Sequence, residues 1–162
     1  MKNSKKDLRN IESKKFFYCF ECDGYEEIVF GISSDVDKRL FQYDRGSKIG
    51  KYNKILELKC PSGYHALRLE GFIKIYFKKL IKNRTKEAIS MDRKHFPLLE
   101  NTIRVGFRIL ENKSIEELKN REIINEMKKS LDKVPVKVFR SSFQTIGYDI
   151  LSEDIPDTRF NP

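Results

Sequence analysis

The chain has 162 residues, enough for one compact domain with an appendage. Its 33 Lys and Arg against 24 Asp and Glu leave a net charge of +9, which points to a polyanionic partner, most simply nucleic acid. No apolar run approaches the ~20 residues of a membrane span, the start Met1 to Lys6 reads as no secretory signal, and an odd set of three cysteines argues against a disulfide framework and for a reducing, intracellular setting, cytoplasmic or nucleoid/nuclear.

Residues 1–13 read as a basic arm that adds electrostatic affinity without sequence preference. An α+β domain then follows over 14–110. Residues 16–22 are aromatic and apolar, and Tyr25 to Ile32 resumes that character after Asp23-Gly24. An Asp-Gly pair between two such runs predicts a hairpin with a two-residue type I′ turn. That turn sets Cys22 opposite Tyr25, Tyr18 opposite Val29 and Phe16 opposite Gly31. Phe17, Cys19, Ile28 and Phe30 then share the core face. Tyr18 projects from the less apolar face, beside a glycine that either leaves room for a ligand or simply ends the strand, with Tyr18 then an ordinary strand residue. Cys19 and Cys22 are three apart in a strand and fall on opposite faces, which suits structural cysteines and not a shared metal.

Ser33 to Asp37 opens a helix, with Ser34 as its cap and Asp35 and Asp37 in the first turn. Val36 and Leu40 mark the buried stripe and put Arg39 at its edge. There it serves either as the i, i+4 partner of Asp35 or as a planar guanidinium for a phosphate. Arg45, Lys48, Lys51 and Lys54 follow in a glycine-bearing stretch without an acid, which suits either a solvated loop or one that tracks a phosphate backbone. Lys54 to Cys60 predicts a third strand, ended by Pro61-Ser62-Gly63. Tyr64 to Ile81 has the apolar spacing of a helix, and Glu70 lies on its apolar stripe or at the margin. A carboxylate there costs free energy unless it is paired or binds a metal. Exposure beside Lys74 is the other reading.

His65 and His95 have no sequence partners and are read as structural. Ile103, Val105, Phe107 and Ile109 alternate as in a strand that closes the domain, with a helical edge over Leu98 to Ile103 as the alternative. Ser114 to Glu117 has the capping-box pattern and opens a charged amphipathic helix, Ile115 to Leu131. That helix can pack on the domain, join two copies as a homodimer, or lie along DNA. With a partly ordered tail that carries Val134, Val136 and Val138, it makes up a C-terminal extension over 111–162.

Tyr18, Gly31, Arg39 and Glu70, in this order and spacing, resemble the GIY-YIG nuclease superfamily over roughly residues 14–110. The stretch from Phe30 to Tyr43 looks like its phage and large-DNA-virus branch, in which Lys-Ile-Gly often replaces Tyr-Ile-Gly. The resemblance implies a small domain with a three-stranded antiparallel sheet flanked by helices. It also implies a metal-dependent endonuclease that hydrolyses phosphodiester bonds in DNA of unknown strandedness. Tyr18 would position or deprotonate the attacking water, Arg39 would stabilise the pentavalent phosphate, and Glu70 would hold one Mg²⁺ or Mn²⁺. Two departures stand out. The first motif reads Phe16-Phe17-Tyr18, without Gly or Ile, and Val29 stands where many members have a second Tyr. A mechanism with two phenols in those motifs is therefore excluded. Tyr43, one turn beyond Arg39, is a substitute phenol or a packing residue, and Asn101 is a candidate for an Asn that supports the site in many relatives. The alternative is a catalytically inactive relative that binds nucleic acid.

Overall fold

The structure, a computed structural model, describes residues 10–83 and 86–132. The expectations for most of the basic arm and for the tail with Val134, Val136 and Val138 lie outside the described residues.

Strands β1 (Phe16–Cys22) and β2 (Glu27–Ser33) form the antiparallel hairpin. Phe17, Cys19, Ile28 and Phe30 enter the main core, while Tyr18, Phe20, Cys22 and Val29 enter a second cluster on the other face. Each side chain is on the face that the alternation predicts. The register differs: Tyr18 lies opposite Gly31, and Phe20 opposite Val29. A type I′ turn needs positive φ at both central residues, and here only Gly24 has it (φ 78°), with the Tyr25 N–H donating to the Cys22 carbonyl (3.1 Å). Asp23 is held instead by the third strand region: its N–H donates to the Lys51 carbonyl (2.9 Å) and its carboxylate accepts from Asn53 (2.7 Å). The loop lengthens and the pairing moves by two residues. An even shift keeps both faces intact.

Helix α1 (Val36–Gly46) is capped by Asp35, not Ser34; the Asp35 carboxylate accepts the Lys38 N–H at 2.9 Å. Strand β3 (Tyr52–Lys59) pairs with the free side of β1. Helix α2 (Gly63–Tyr76), capped by Ser62, stops short of the predicted Ile81. A single 3₁₀ turn leads into β4 (Ile81–Asn83) and β5 (Lys86–Ser90). Among the described residues the sheet therefore has five strands, in the order β3-β1-β2-β5-β4, and not three. The architecture is α+β.

Residues 103–109 belong to helix α3 (Phe96–Glu111), not to a strand. Pro97 suits its first turn, and Leu99, Ile103, Gly106 and Leu110 are buried at the three-to-four-residue spacing of a helix. Gly106 lets α3 approach closely, since a Cβ there would meet Leu69 and Phe72 at 3.1 Å. The capping box at Ser114 and Glu117 is formed, but the helix it opens is short. It is followed by a second one, giving α4 (Ile115–Lys119) and α5 (Ile123–Asp132). Between them the Asn120 side chain accepts the Glu122 N–H (3.0 Å). Leu118, Ile123 and Met127 are buried in the main core with Phe17 and Phe72.

The sheet thus has helices α2–α5 on one face and α1 on the other. His65 joins Ser62 Oγ (2.7 Å) to the Lys113 carbonyl (3.0 Å), and burial lowers its pKa, which suits a neutral structural imidazole. Cys19, Cys22 and Cys60 are buried free thiols, with Cys19 and Cys22 in opposite clusters. Among the described residues, no helix is long and apolar enough to cross a membrane.

Candidate active site

Three elements bring Tyr18, Arg39 and Gly31 together. Tyr18 leaves β1 toward α1, and Arg39, one turn into α1, turns back to donate from Nε to the Tyr18 hydroxyl at 3.2 Å. The i, i+4 pair with Asp35 is not made, because that carboxylate caps the helix. Arg39 Nη1 donates to Gln42 (3.3 Å), and the guanidinium lies 5.2 Å from the centre of the Tyr43 ring. Tyr43 in turn meets Phe20 edge-on at 5.6 Å and Tyr52 at 5.2 Å. Arg39 is therefore oriented by a phenol, an amide and an aromatic face.

Gly31 explains how the hydroxyl fits. A Cβ on Gly31 would lie 2.6 Å from the Tyr18 hydroxyl and 2.6 Å from Glu87 Oε2. The room that the glycine leaves is filled by these two groups and is not open to a ligand. Tyr18 is only 1% exposed, so a ligand reaches its hydroxyl only when a covering side chain moves. Burial is also the main reason why the Tyr18 pKa is raised, with the Arg39 bond working against it. The phenol is neutral at physiological pH. It positions Arg39 and does not serve as a standing phenolate base.

Glu87 connects this pair to Glu70. Glu70 is 7% exposed on α2, and its Oε1 accepts from Lys74 Nζ at 2.5 Å. The same ammonium donates to Glu87 Oε1 at 2.9 Å. Glu70 is buried and paired with Lys74, so the reading in which it lies exposed beside that lysine does not hold. Burial, then the charge of and a hydrogen bond with Glu87, push its carboxyl up to about 7 against the pull of Lys74. Tyr18, Arg39 and Glu70 are thus linked through Glu87, which no sequence motif marks.

The predicted phosphate contacts divide. Arg45 is exposed in the last turn of α1, and Lys48 and Lys51 are exposed in the loop that follows. Ser47 fixes that loop by donating to the Gly50 carbonyl (2.6 Å) and accepting the Gly50 N–H (3.1 Å). Lys54 is inside β3, where Asp37 (3.0 Å) and Glu57 (2.6 Å) hold its ammonium. Arg39, Gln42, Tyr43, Lys48, Ile49 and Tyr52 line a cleft of about 560 Å³ beside α1. Val29 is buried against the Tyr18 and Phe20 cluster. Asn101 is on α3, away from the strands and helix that supply these side chains.

Among the described residues, no three His, Cys, Asp or Glu side chains gather as a metal-binding group. The available donors are carboxylate oxygens, which suit an ion that keeps several waters, as Mg²⁺ does. The Lys74 ammonium already pairs with both Glu70 and Glu87. No protein-family model, curated protein or solved structure matches the chain.

Proposed function

We propose that this protein is a metal-dependent endonuclease of the GIY-YIG type that hydrolyses phosphodiester bonds in DNA. The observation that carries the reading is the 3.2 Å bond from Arg39 Nε to the Tyr18 hydroxyl, formed beside Gly31 and Glu87, whose other oxygen shares Lys74 with the buried Glu70. An arginine held through Nε and Nη1 keeps its Nη2 edge for a ligand, and a phosphate oxygen is the anion that a guanidinium fork matches. The cleft beside Arg39 and Lys48 gives the backbone of a nucleic acid a path to that edge. Tyr18 sets the angle of the guanidinium, Arg39 takes the charge that develops on phosphorus-bound oxygen, and Glu70 holds Mg²⁺ or Mn²⁺. The ion, when bound, would polarise the phosphodiester and a water molecule.

A specific observation favours a second reading, a catalytically inactive module that binds nucleic acid. Val29 is packed in the core cluster where a second motif phenol would otherwise stand, and Lys74 already neutralises Glu70. The two readings separate in one assay, nicking of supercoiled plasmid with Mg²⁺ and with Mn²⁺. For the nuclease, Glu70→Ala abolishes cleavage while DNA affinity in Ca²⁺ or EDTA is nearly unchanged, because the ion acts on the transition state. Arg39→Ala lowers both affinity and cleavage, cleavage by about 100-fold or more. A wild-type protein that binds DNA but leaves a broad panel of substrates uncut in both metals is the binding module.

A further inference from the structure

We propose that the cleft beside α1 is a seat for one unpaired nucleobase, so that the DNA taken by this site is single-stranded or carries an unpaired nucleotide next to the phosphate on Arg39. The inference rests on the reading of Arg39 as the phosphate ligand. It adds the form of the substrate, which that reading leaves open.

The lining has the chemistry of a nucleotide pocket. Arg39, Gln42, Tyr43 and Gly46 come from one face of α1, at its three-to-four-residue spacing, and Ile49 and Tyr52 add to them from the loop and β3. Two phenol rings and an aliphatic side chain suit the face of a base. Gln42 Oε1 accepts from Arg39, which leaves the amide NH₂ for a ring nitrogen or carbonyl of that base. Arg39 and Lys48 bring two positive charges, and among the described residues no carboxylate lines the cleft. At about 560 Å³ it falls within the ~300–1,000 Å³ of small-ligand pockets, with room for a base and its sugar.

Ile49 points to the occupant. It is 45% exposed, yet the loop that carries it is fixed. Ser47 Oγ donates to the Gly50 carbonyl (2.6 Å) and accepts the Ile49 N–H (3.3 Å), and the Tyr52 N–H donates to the Asp44 carboxylate (2.7 Å). Gly50 is backed against the hairpin turn, where a Cβ would meet the Asp23 carbonyl at 2.6 Å. An apolar side chain held in water between Lys48 and Lys51 is preorganised, so a ring that covers it meets little ordering cost. Phosphates alone would give Ile49 nothing to bury against. In a duplex both faces of a base are covered by its stacked neighbours and only its edges show in the grooves. The cleft therefore takes a base that has left the stack. Arg39 lines the same cleft, which sets that nucleotide beside the phosphate to be cut.

The test measures binding in EDTA, over a range of salt, for a duplex with one unpaired 2-aminopurine and for the same duplex with that base paired. The wild type should bind the unpaired form about tenfold tighter and change the 2-aminopurine fluorescence only there. Gly46→Leu fills the cleft without strain, because a Cβ at Gly46 meets nothing within 4 Å and its φ is not positive. It should abolish the preference and keep the urea stability of the wild type. Ile49→Ala should reduce the preference several-fold at an unchanged salt slope, whereas Lys48→Ala should weaken both duplexes alike. A single strand should bind as the unpaired form does, and the free 2-aminopurine nucleotide should compete only at far higher concentration. Equal wild-type affinity for both duplexes overturns the base seat and leaves the DNA reading in place. A preference that survives Gly46→Leu overturns the cleft as its origin. Competition by the free nucleotide at oligonucleotide concentrations overturns DNA as the source of the base. Absence of binding to either duplex overturns the DNA reading and the seat with it.

Discussion

The two faces of the sheet are both buried, but with different chemistry. On the side of α2 and α3, Phe17, Phe30, Leu69, Phe72 and Ile103 pack with no polar side-chain atom among them. On the side of α1, Tyr18, Tyr43 and Tyr52 bring three hydroxyls to the cluster, and Arg39 lies against two of those rings. The first face mainly removes apolar area from water, with buried polar groups such as His65 and Thr102 at its margins. The second gives up some of that gain, because each hydroxyl must find a partner or lose its hydration. What it gains is orientation: the groups that hold Arg39 are rigid because they are packed.

This contrast can be broken on either side. The largest effect belongs to the apolar face. Phe72→Ala removes a fully buried ring and is expected to cost about 3–5 kcal/mol in urea unfolding, with cleavage per folded molecule unchanged. A loss in cleavage beyond the loss of folded protein would mean that the two faces are not separate in function.

Next comes the carboxylate between them. Glu70 has a folded-state pKa near 7, above its ordinary 4.5, so between those values the folded protein keeps a proton that the unfolded chain has released. That contribution to stability is complete below about pH 4.5 and is lost as the pH rises through 7. Glu70→Gln has no such loss. It should gain on the wild type by on the order of 2 kcal/mol between pH 5 and pH 8 in EDTA. Parallel stability profiles would show that Lys74 compensates Glu70 fully.

A smaller change sharpens the polar face. Tyr18→Phe keeps the ring that stacks on Phe20 and removes only the acceptor of Arg39. Stability should fall by about 1 kcal/mol or less, and cleavage by at least roughly tenfold, because Arg39 loses its orientation. An equal effect on both measures would make the hydroxyl merely structural. The smallest effect separates two lysines. Lys48→Ala, in the cleft, should weaken DNA binding a few-fold and lower the salt slope by about one. Lys54→Ala should change it less, because Asp37 and Glu57 already hold that ammonium.

How far the sequence could be read follows from the range of each signal. The faces of β1 and β2 were legible because strand alternation is local and strict, and a register error of two residues leaves it intact. The register was not legible, because the bonds that lengthen the turn come from Lys51 and Asn53, far along the chain. Ile103, Val105, Phe107 and Ile109 alternate by coincidence of composition. The helical spacing of Leu99, Ile103, Gly106 and Leu110 includes a glycine, which carries no hydrophobic signal. Of the expected site residues, the structure bonds Tyr18 to Arg39, while Glu70 is bonded to Lys74. Glu87 was not legible: it begins a two-residue apolar run, Ala88-Ile89, too short to mark a strand, and its partner Lys74 looked already matched to Glu70 at i, i+4.

Among the described residues, strand β3 ends the sheet on one side, with β1 as its only neighbour. Lys54, Glu57 and Lys59 are exposed along it, and Lys54 ties that edge to α1 through Asp37. A bare strand edge offers backbone donors and acceptors to any other extended chain, and rows of charged side chains are a common defence. An incoming strand from another molecule would have to strip water from these charges and separate Lys54 from its acids. The lysine that the sequence offers as a phosphate contact therefore has a different consequence: with its acids, it makes the addition of a further strand to this edge less favourable.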